Sequence, residues 1–489
     1  MSSLRIRTKL AFGVGAAAEA AITIAFNTWN FLFYNHVLGL SGTLCGLAVT
    51  ISLFLDAVAD PVVGFISDRW RSKLGRRHPF LYAAPLPLAA SFYCIYVPPA
   101  GLHDIPLFLW MTLFTVLFRQ GLTLYQVPHL ALGAELSTDY RERSVVMSYN
   151  AIFAVVGGAG TYFYGWTWFK HAGGTSVRDG YPGLGLGVAL FVALVIFFSA
   201  HFTRDQIPRL VQPPPGEARF TLRELVSETL GCMSNRNYLM LLLGLVFMSA
   251  TLGTRETLNA YTSLFFWGLP EDKIRVFGLV TPPAFVLAFI LTVRLHGWFE
   301  KRGTIIGAVC VMVLTAALPV LLRISGHFPA NGAPKLLPCL MLFVFLSYGA
   351  AAVLQISVLS SLADVADEHE LKSGRRQEGV FYAARTFFGK LTSGLGTILA
   401  GAAIDVIHFP AGAKPGEVGA DVLYKLGLID GPIASLPALI GIFFYARYRI
   451  DKHRHAEIQR ELDERRKHSS AAAASEPPAA VPAPELAPS

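Results

Sequence analysis

Residues 45–80 read CGLAVTISLFLDAVADPVVGFISDRWRSKLGRRHPF, an apolar run that carries two carboxylates and then ends in a cluster of basic residues. The apolar part begins at about Gly42 and is long enough to cross the hydrocarbon core of a bilayer, which takes about 20 residues. The basic cluster is typical of a loop on the cytoplasmic side of a membrane. This stretch therefore predicts a membrane-spanning helix with a pair of acidic groups inside it.

The whole chain is rich in hydrophobic residues and poor in charged ones. Of its 489 residues, 53% are hydrophobic and 15% are charged, and the mean hydropathy is +0.48. Soluble domains carry about 25% charged residues. The apolar runs are continuous and lack the alternation that a β-barrel requires, so we expect an all-α polytopic membrane protein. The net charge of +8 does not indicate nucleic acid, because the basic residues form short clusters between the apolar runs.

The apolar runs predict twelve membrane-spanning helices in two bundles of six. We expect them at 10–38, 42–67, 79–99, 105–133, 144–169, 183–201, 237–267, 275–296, 303–323, 336–363, 379–404 and 428–447. Lys and Arg concentrate in alternate loops, which predicts that both termini are cytoplasmic. A Pro-rich cytoplasmic linker at 202–236 separates an N-terminal bundle, 1–201, from a C-terminal bundle, 237–448. Residues 449–489 are expected to form a cytoplasmic tail that is basic and then, from about 467, disordered and rich in Ala and Pro.

Asp56 and Asp60 form a pair inside the second predicted span. Four residues apart, they lie on one face of a helix about 6 Å apart along its axis. Like charges so close repel strongly in a medium of low dielectric constant, unless a proton or a cation neutralises them. The pair predicts a site for Na⁺ or H⁺; the alternative is that one carboxylate only pairs with a buried base. Lys390, deep in the eleventh span, needs a counter-ion and either exchanges with the cation or forms a static salt bridge.

Other polar side chains lie within the first, seventh and eleventh spans. Polar and aromatic groups in the middle of a membrane suit a hydroxyl-rich ligand; packing and hydrogen bonds between helices are the alternative. The candidate substrate-binding residues are Glu19, Asn27, Asn30, Arg255, Glu256, Tyr382 and Arg385. Arg119 and His129, in the fourth span, are open to both interpretations. At the cytoplasmic end of the second span, Asp68 and Arg69 predict a gating or structural role, in which Asp68 pairs with loop bases and holds the halves together.

The stretch GFISDRWRSKLGRR resembles the cytoplasmic motif between helices 2 and 3 of the major facilitator superfamily. The matching residues of this gating motif are Gly64, Asp68, Arg69, Gly75, Arg76 and Arg77. With VPHLALGAELSTDYRERS and DEHELKSGRRQEGVFYAARTFFGK, the stretch is similar to the glycoside–pentoside–hexuronide:cation symporters, the group that contains melibiose permease. The similarity runs over about 10–450 and implies the major facilitator fold.

The resemblance also implies a cation site. Position by position, the two carboxylates of the family's second helix fall on Asp56 and Asp60, and the lysine of its eleventh helix falls on Lys390. Melibiose permease has a third carboxylate on its fourth helix, where this chain has Gln126; an amide can still ligate a cation, but the site loses a charge, which favours protons. The sugar-binding aspartate of that permease falls on Ala20, so melibiose itself is not supported as the substrate.

The sequence therefore predicts a symporter that imports a sugar or glycoside by alternating access, coupled to Na⁺ or H⁺ and without a cofactor. A major facilitator transporter of a lysolipid or another amphiphile is the alternative. An enzyme is not expected, because the chain has no HExxH, no GxSxG elbow and no phosphate-binding loop. We expect a monomer in a bacterial inner membrane, with a small-molecule substrate and the lipid bilayer as its partners and no nucleic acid.

Overall fold

The computed structural model describes residues 4–137, 139–210, 231, 233–373 and 378–475, and within them the chain is helical, without strands. The helices of the N-terminal half are α1 (Ile6–Phe31), α2 (Gly42–Arg69), α3 (His78–Ala83), α4 (Pro85–Ile95), α5 (Asp104–Glu135), α6 (Tyr140–His171) and α7 (Gly180–Thr203). Those of the C-terminal half are α8 (Arg236–Tyr261), α9 (Glu271–Ile274), α10 (Phe277–Ile324), α11 (Leu336–Ser373), α12 (Glu378–Val406), α13 (Ala420–Leu428), α14 (Leu436–Tyr445) and α15 (Lys452–Ser475).

Ten helical stretches of the described chain are long and apolar enough to cross a membrane, so the prediction of a polytopic helical membrane protein is confirmed. The predicted spans 275–296 and 303–323 are two helices that meet in a kink at Glu300, where the backbone φ is 58°; the two are labelled together as α10. The predicted span 79–99 consists of α3 and α4, because Pro85 and Pro87 supply no backbone N–H at their junction.

Two predicted segments differ from the structure or lie largely beyond it. Most of the predicted linker, 202–236, lies outside the described residues, although α7 extends to Thr203 and a turn of 3₁₀ helix follows at Arg204–Arg209. The predicted disorder of the tail from about 467 is not seen at first, since helix α15 continues to Ser475. Residues 476–489 lie outside the described part of the chain.

The described part of the chain contains three π-helical turns, in which the backbone is wider than in an α-helix. They extend α1 through Leu32–Val37, extend α8 through Thr262–Phe266, and join α13 towards α14 at Ile429–Ile433. Such turns often occur at functional sites. Because α1 and α8 are the first long helices of their halves, the turns also mark an internal correspondence between the halves.

The two halves, residues 4–210 and 233–475, meet along the helix pairs α2–α12, α6–α10 and α1–α8. We call the end of the molecule that carries Leu4 and the turn 70–77 the proximal end, and the opposite end, with the turn 38–41, the distal end. One apolar core fills the N-terminal half and continues into the C-terminal half through distal side chains such as Tyr261. A second apolar core lies wholly within the C-terminal half. The halves are thus joined by apolar packing at the distal end.

Hydrogen bonds and close backbone packing add to this distal contact. The Asp405 carboxylate, at the end of α12, accepts hydrogen bonds from the Ser41 hydroxyl and from the backbone N–H of Gly42, both at 2.7 Å, and from that of Thr43 at 2.8 Å. These N–H groups start α2, where an anion is favoured by the helix dipole. Beside them, a Cβ added to Gly401 would come within 2.0 Å of the Gly42 carbonyl oxygen. Glycine is therefore needed for α2 and α12 to approach so closely.

Candidate functional site

The acidic pair of α2 meets the lysine of α12 between the two halves. Lys390 Nζ lies 2.8 Å from Asp56 Oδ2 and 2.6 Å from Asp60 Oδ2. Asp56 is 3% exposed, and Asp60 and Lys390 are about four-fifths buried. The structure therefore brings together the three residues that the sequence predicts as a cation site, with the ammonium group of one half between the carboxylates of the other.

Two side chains of α5 complete this cluster. Thr123 Oγ1 donates a hydrogen bond to Asp56 Oδ1 and lies 3.1 Å from Asp60 Oδ1. One helical turn earlier, Arg119 Nη1 lies 3.9 Å from Asp56 Oδ2, and its guanidinium group stands over the Phe26 ring. The sequence does not predict Thr123 as a site residue, because nothing in an apolar run distinguishes a threonine that binds a ligand from one that packs between helices. Its spacing of four residues from Arg119, which places both on one face of the helix, is the one feature that could have indicated it.

Glu19 and Gln126 form a second polar contact close to the cluster. Gln126 Nε2 donates a hydrogen bond of 2.6 Å to Glu19 Oε1, which joins α5 to α1. The Glu19 carboxylate is near enough to Lys390 and Asp60 for their charges to interact. The sequence predicts Gln126 as a cation ligand and Glu19 as a substrate ligand, yet the structure pairs them with each other. The carboxyl group of Glu19, from α1, thus lies beside the neutral amide of Gln126, on α5.

A central cavity of about 270 Å³ lies between the halves, next to this cluster. Asn27 and Asn30 line it from α1, and Glu256 and Lys390 line it from α8 and α12. Asn27 Nδ2 donates a hydrogen bond of 2.9 Å to Glu256 Oε1 across the interface. Asn30 is 1% exposed, and within the described chain neither of its amide atoms has a hydrogen-bond partner. The cavity therefore offers amide and carboxylate groups suited to a polar ligand.

A second cavity, of about 360 Å³, lies beside the first and is bounded mainly by the C-terminal half. Arg255 and Asp430 line it together with the aromatic side chains of Tyr162 and Tyr348. Glu256 lines both cavities, so the two meet at this residue. Asp430 stands on the π-helical turn before α14, and its sequence position does not single it out, because it falls at the boundary of a predicted span.

Tyr382 and Arg385 are not among the residues that line either cavity. Both stand on α12, on the proximal side of Lys390. Tyr382 is 37% exposed, and its backbone carbonyl oxygen accepts a hydrogen bond of 3.0 Å from the Thr386 hydroxyl. Of the predicted substrate residues, the structure places Asn27, Asn30, Arg255 and Glu256 at the cavities and these two residues away from them.

The predicted gating motif forms a network of charged side chains at the proximal end of the N-terminal half. Arg77 is 4% exposed; it pairs with Asp68, with Glu135 Oε1 at 2.7 Å and with the Ser67 hydroxyl at 2.7 Å. Arg76 also pairs with Glu135, at 2.9 Å. These contacts join α2 to α5 within one half, whereas the sequence predicts that Asp68 holds the two halves together.

The other residues of the motif shape the turn between α2 and α3. Gly75 has a φ of 72°, a backbone conformation that glycine adopts readily. Arg69 places its guanidinium group over the Phe65 ring, at 3.7 Å. Gly64 lies on α2, where an added Cβ would make ordinary contact with Val127. In the described structure, these residues fix the turn and its neighbouring helices.

We expect Glu135→Ala to destabilise the protein by about 3 kcal/mol, because it leaves buried guanidinium groups without their shared carboxylate. Thermal unfolding of the purified protein, followed by tryptophan fluorescence, measures the change. Asp421→Ala is the matched control, since it breaks an exposed ion pair with Lys425 that should contribute at most about 0.5 kcal/mol. Equal melting temperatures for the two variants would contradict a structural role for the network.

The two halves of this helical chain enclose polar cavities and a buried ion-pair cluster lies between them, an arrangement that suits a membrane transporter. Residues 11–452 match the MFS/sugar transport protein family, and the chain belongs to it. The predicted family resemblance is therefore confirmed, as are the expectations of a multi-pass integral membrane protein and of a transporter rather than an enzyme.

Individual relatives differ in the cargo that their names state. The chain is 22% identical over 484 residues to the putative glycoside/cation symporter YagG of Escherichia coli, covering 98% of this chain and 99% of the relative. It is 23% identical over 503 residues to the sodium-dependent lysophosphatidylcholine symporter 1-A of Danio rerio, covering 94% and 88%. The solved nucleoside transporter NupG superposes with a TM-score of 0.64 at 13% identity, over 91% of this chain and all of that one, which shows the shared fold.

Proposed function

We propose that this protein is a cation-coupled symporter that carries a sugar or glycoside by alternating access. The observation that carries the proposal is the position of Lys390 between Asp56 and Asp60. An ammonium group in contact with both carboxylates stands where a coupling cation would bind. Na⁺ or H⁺ and the lysine therefore compete for the same oxygens, with Thr123 as a further ligand and the carboxyl group of Glu19, paired with Gln126, nearby.

This competition couples the movement of the substrate to that of the cation, because leaving a buried charge unpaired costs about 3–5 kcal/mol. In the empty carrier Lys390 and Arg119 together balance the two carboxylates, so the halves can reorient. Binding of the cation alone displaces the ammonium group into the central cavity without a partner, which disfavours movement. Lys390 lines that cavity, so a substrate hydroxyl can accept its hydrogen bond and remove the penalty. Only the empty and the doubly loaded carrier then cross, which is symport.

The polar lining of the central cavity favours a hydroxyl-rich substrate. Asn27, Asn30 and Glu256 provide donors and acceptors on two sides of the cavity, and the buried amide of Asn30 has no hydrogen-bond partner among the described residues. Buried polar groups without partners are rare in proteins, so such a group indicates a ligand. A lysolipid is the second candidate, on the strength of the zebrafish relative and of the aromatic side chains in the second cavity.

The proposed topology has twelve membrane crossings in two six-helix bundles, over 1–201 and 237–448. Ten stretches qualify by length and hydropathy; the break at Glu300 divides α10 into two crossings, and α3 with α4 supplies one more. With both termini cytoplasmic, the distal end faces outward, so the described conformation is closed to the outside. One chain contributes both halves of the site, so the proposed transporter acts as a monomer.

Exchange transport identifies the substrate class. Proteoliposomes are tested for counterflow with methyl glycosides, disaccharides, pentosides and hexuronides, and with lysophosphatidylcholine. We expect exchange of a glycoside, with a substrate affinity at least tenfold lower in Glu256→Gln, because a hydrogen bond to a charged group contributes about 1.5–3 kcal/mol. Tyr382→Phe, away from both cavities, is the control and should leave exchange unchanged. Exchange of the lysolipid without any sugar would replace the first candidate by the second.

A further inference from the structure

The second cavity contains a polar pair that the coupling mechanism does not use. Arg255 Nε lies 4.0 Å from Asp430 Oδ1. Both atoms are buried, and neither has a hydrogen-bond partner in the described part of the chain. Asp430 is only 7% exposed. Direct N–H···O hydrogen bonds are 2.7–3.2 Å long, so this separation leaves a donor and an acceptor in the wall of the second cavity with their capacity unused.

The spacing of this pair selects the chemistry of a ligand. A hydroxyl group both accepts and donates hydrogen bonds, so one hydroxyl oxygen placed beside both side chains would accept from Arg255 and donate to Asp430. An anionic group at this position would be repelled by Asp430 and by the neighbouring Glu256. The pair of a donor and an acceptor therefore fits a ligand that carries hydroxyl groups.

The remaining walls of the cavity suit the apolar face of a ring. Tyr162, Trp267 and Tyr348 contribute aromatic side chains to the lining. Pockets that combine such apolar surfaces with a few directed polar groups are typical of sites for small organic ligands. A ring with C–H faces and hydroxyl edges, that is, a sugar ring, matches both the aromatic side chains and the Arg255–Asp430 pair.

We propose that the second cavity is a sugar subsite and that the substrate is a glycoside of at least two rings. One ring occupies the central cavity and the next occupies this cavity, with Glu256, which lines both, at the junction. This inference rests on the proposed function, since it assumes that a glycoside is the cargo. It gives Asp430 and the aromatic side chains of the second cavity the role of holding the second sugar ring, and so concerns only the number of rings that the substrate has.

Binding to the purified protein tests the subsite. Disaccharides and methyl glycosides that share one ring are compared by calorimetry in the wild type and in the double variant Arg255→Met/Asp430→Leu, which removes both polar groups and leaves no unpaired charge. We expect a disaccharide to bind the wild type at least tenfold more tightly than its methyl glycoside and to lose that advantage in the variant. Affinity for the methyl glycoside should stay unchanged.

A second variant guards against misfolding of the first. Ala316 lines only the second cavity, so Ala316→Phe should fill it and produce the same selective loss. Asn27→Ala, in the central cavity, should weaken both ligands equally. Equal affinities of the wild type for one-ring and two-ring ligands, or equal losses for both in the cavity variants, would overturn the subsite and leave the cavity as a water-filled space. Absence of any sugar binding would instead refute the proposed function, and the subsite with it.

Discussion

Asp60→Asn is expected to abolish accumulation of substrate driven by an ion gradient, while exchange without a gradient persists. The amide is neutral, so Lys390 retains only Asp56 as a charged partner and a cation meets half of the negative charge. Substrate can still bind in the central cavity, which Asp60 does not line. The ratio of internal to external substrate in proteoliposomes should fall to about one, against at least tenfold accumulation by the wild type.

The control for this variant lies on the same helix. Asp68, two turns further along α2, is 54% exposed and pairs with Arg77 away from the cluster. Asp68→Asn should therefore keep the response to the gradient, whatever its effect on the rate. Gradient-driven accumulation that survives Asp60→Asn would show that the acidic pair does not carry the coupling.

Gly401→Ala is expected to have the second large effect, by opening the distal contact between the halves. The added methyl group would lie 2.0 Å from the Gly42 carbonyl oxygen, so α2 and α12 must separate. Overpacking of this kind costs about 1–3 kcal/mol, which shifts a conformational equilibrium roughly 5- to 150-fold. A cysteine placed at Thr397, which is 7% exposed and lines the central cavity, should react at least fivefold faster with a membrane-impermeant maleimide added from outside, in a background without the native cysteines.

Gly307→Ala is the matched control for this change. Gly307 lies on α10, where an added Cβ meets no atom within 4 Å, so labelling at position 397 should stay at the level of the parent protein. Unchanged labelling in Gly401→Ala would mean that the distal contact does not limit access from outside. Transport should fall in parallel with the shift, because the described conformation becomes a minor state.

Much of the fold was predictable because membrane crossing requires long apolar stretches, which a sequence displays directly. The π-helical turns at Leu32–Val37 and Ile429–Ile433 were not, since one extra residue in a turn leaves average hydropathy unchanged. The shortness of the junction within α10 was also hidden: Arg294, Lys301 and Arg302 indicate a loop, yet one residue of positive φ, Glu300, separates the two helices.

The charged residues of the candidate site could be predicted from the sequence. A carboxylate or ammonium group inside an apolar span requires a partner, so Asp56, Asp60 and Lys390 can be grouped from their sequence positions alone. Neutral groups carry no such requirement. Thr123 joins the cluster only because α5 packs on α2, and the pairing of Gln126 with Glu19 depends on how α5 meets α1; these are long-range contacts that a single sequence does not encode locally.

In the proposed mechanism, one cation site, shared with Lys390, drives the uphill movement of the substrate. Uptake of the exchanged glycoside into proteoliposomes is measured under an imposed Na⁺ gradient and, separately, under an imposed pH gradient. We expect accumulation well above the external concentration with one of the two gradients, and its collapse when an ionophore dissipates that gradient. Uptake that stops at equal concentrations under both gradients would contradict this mechanism.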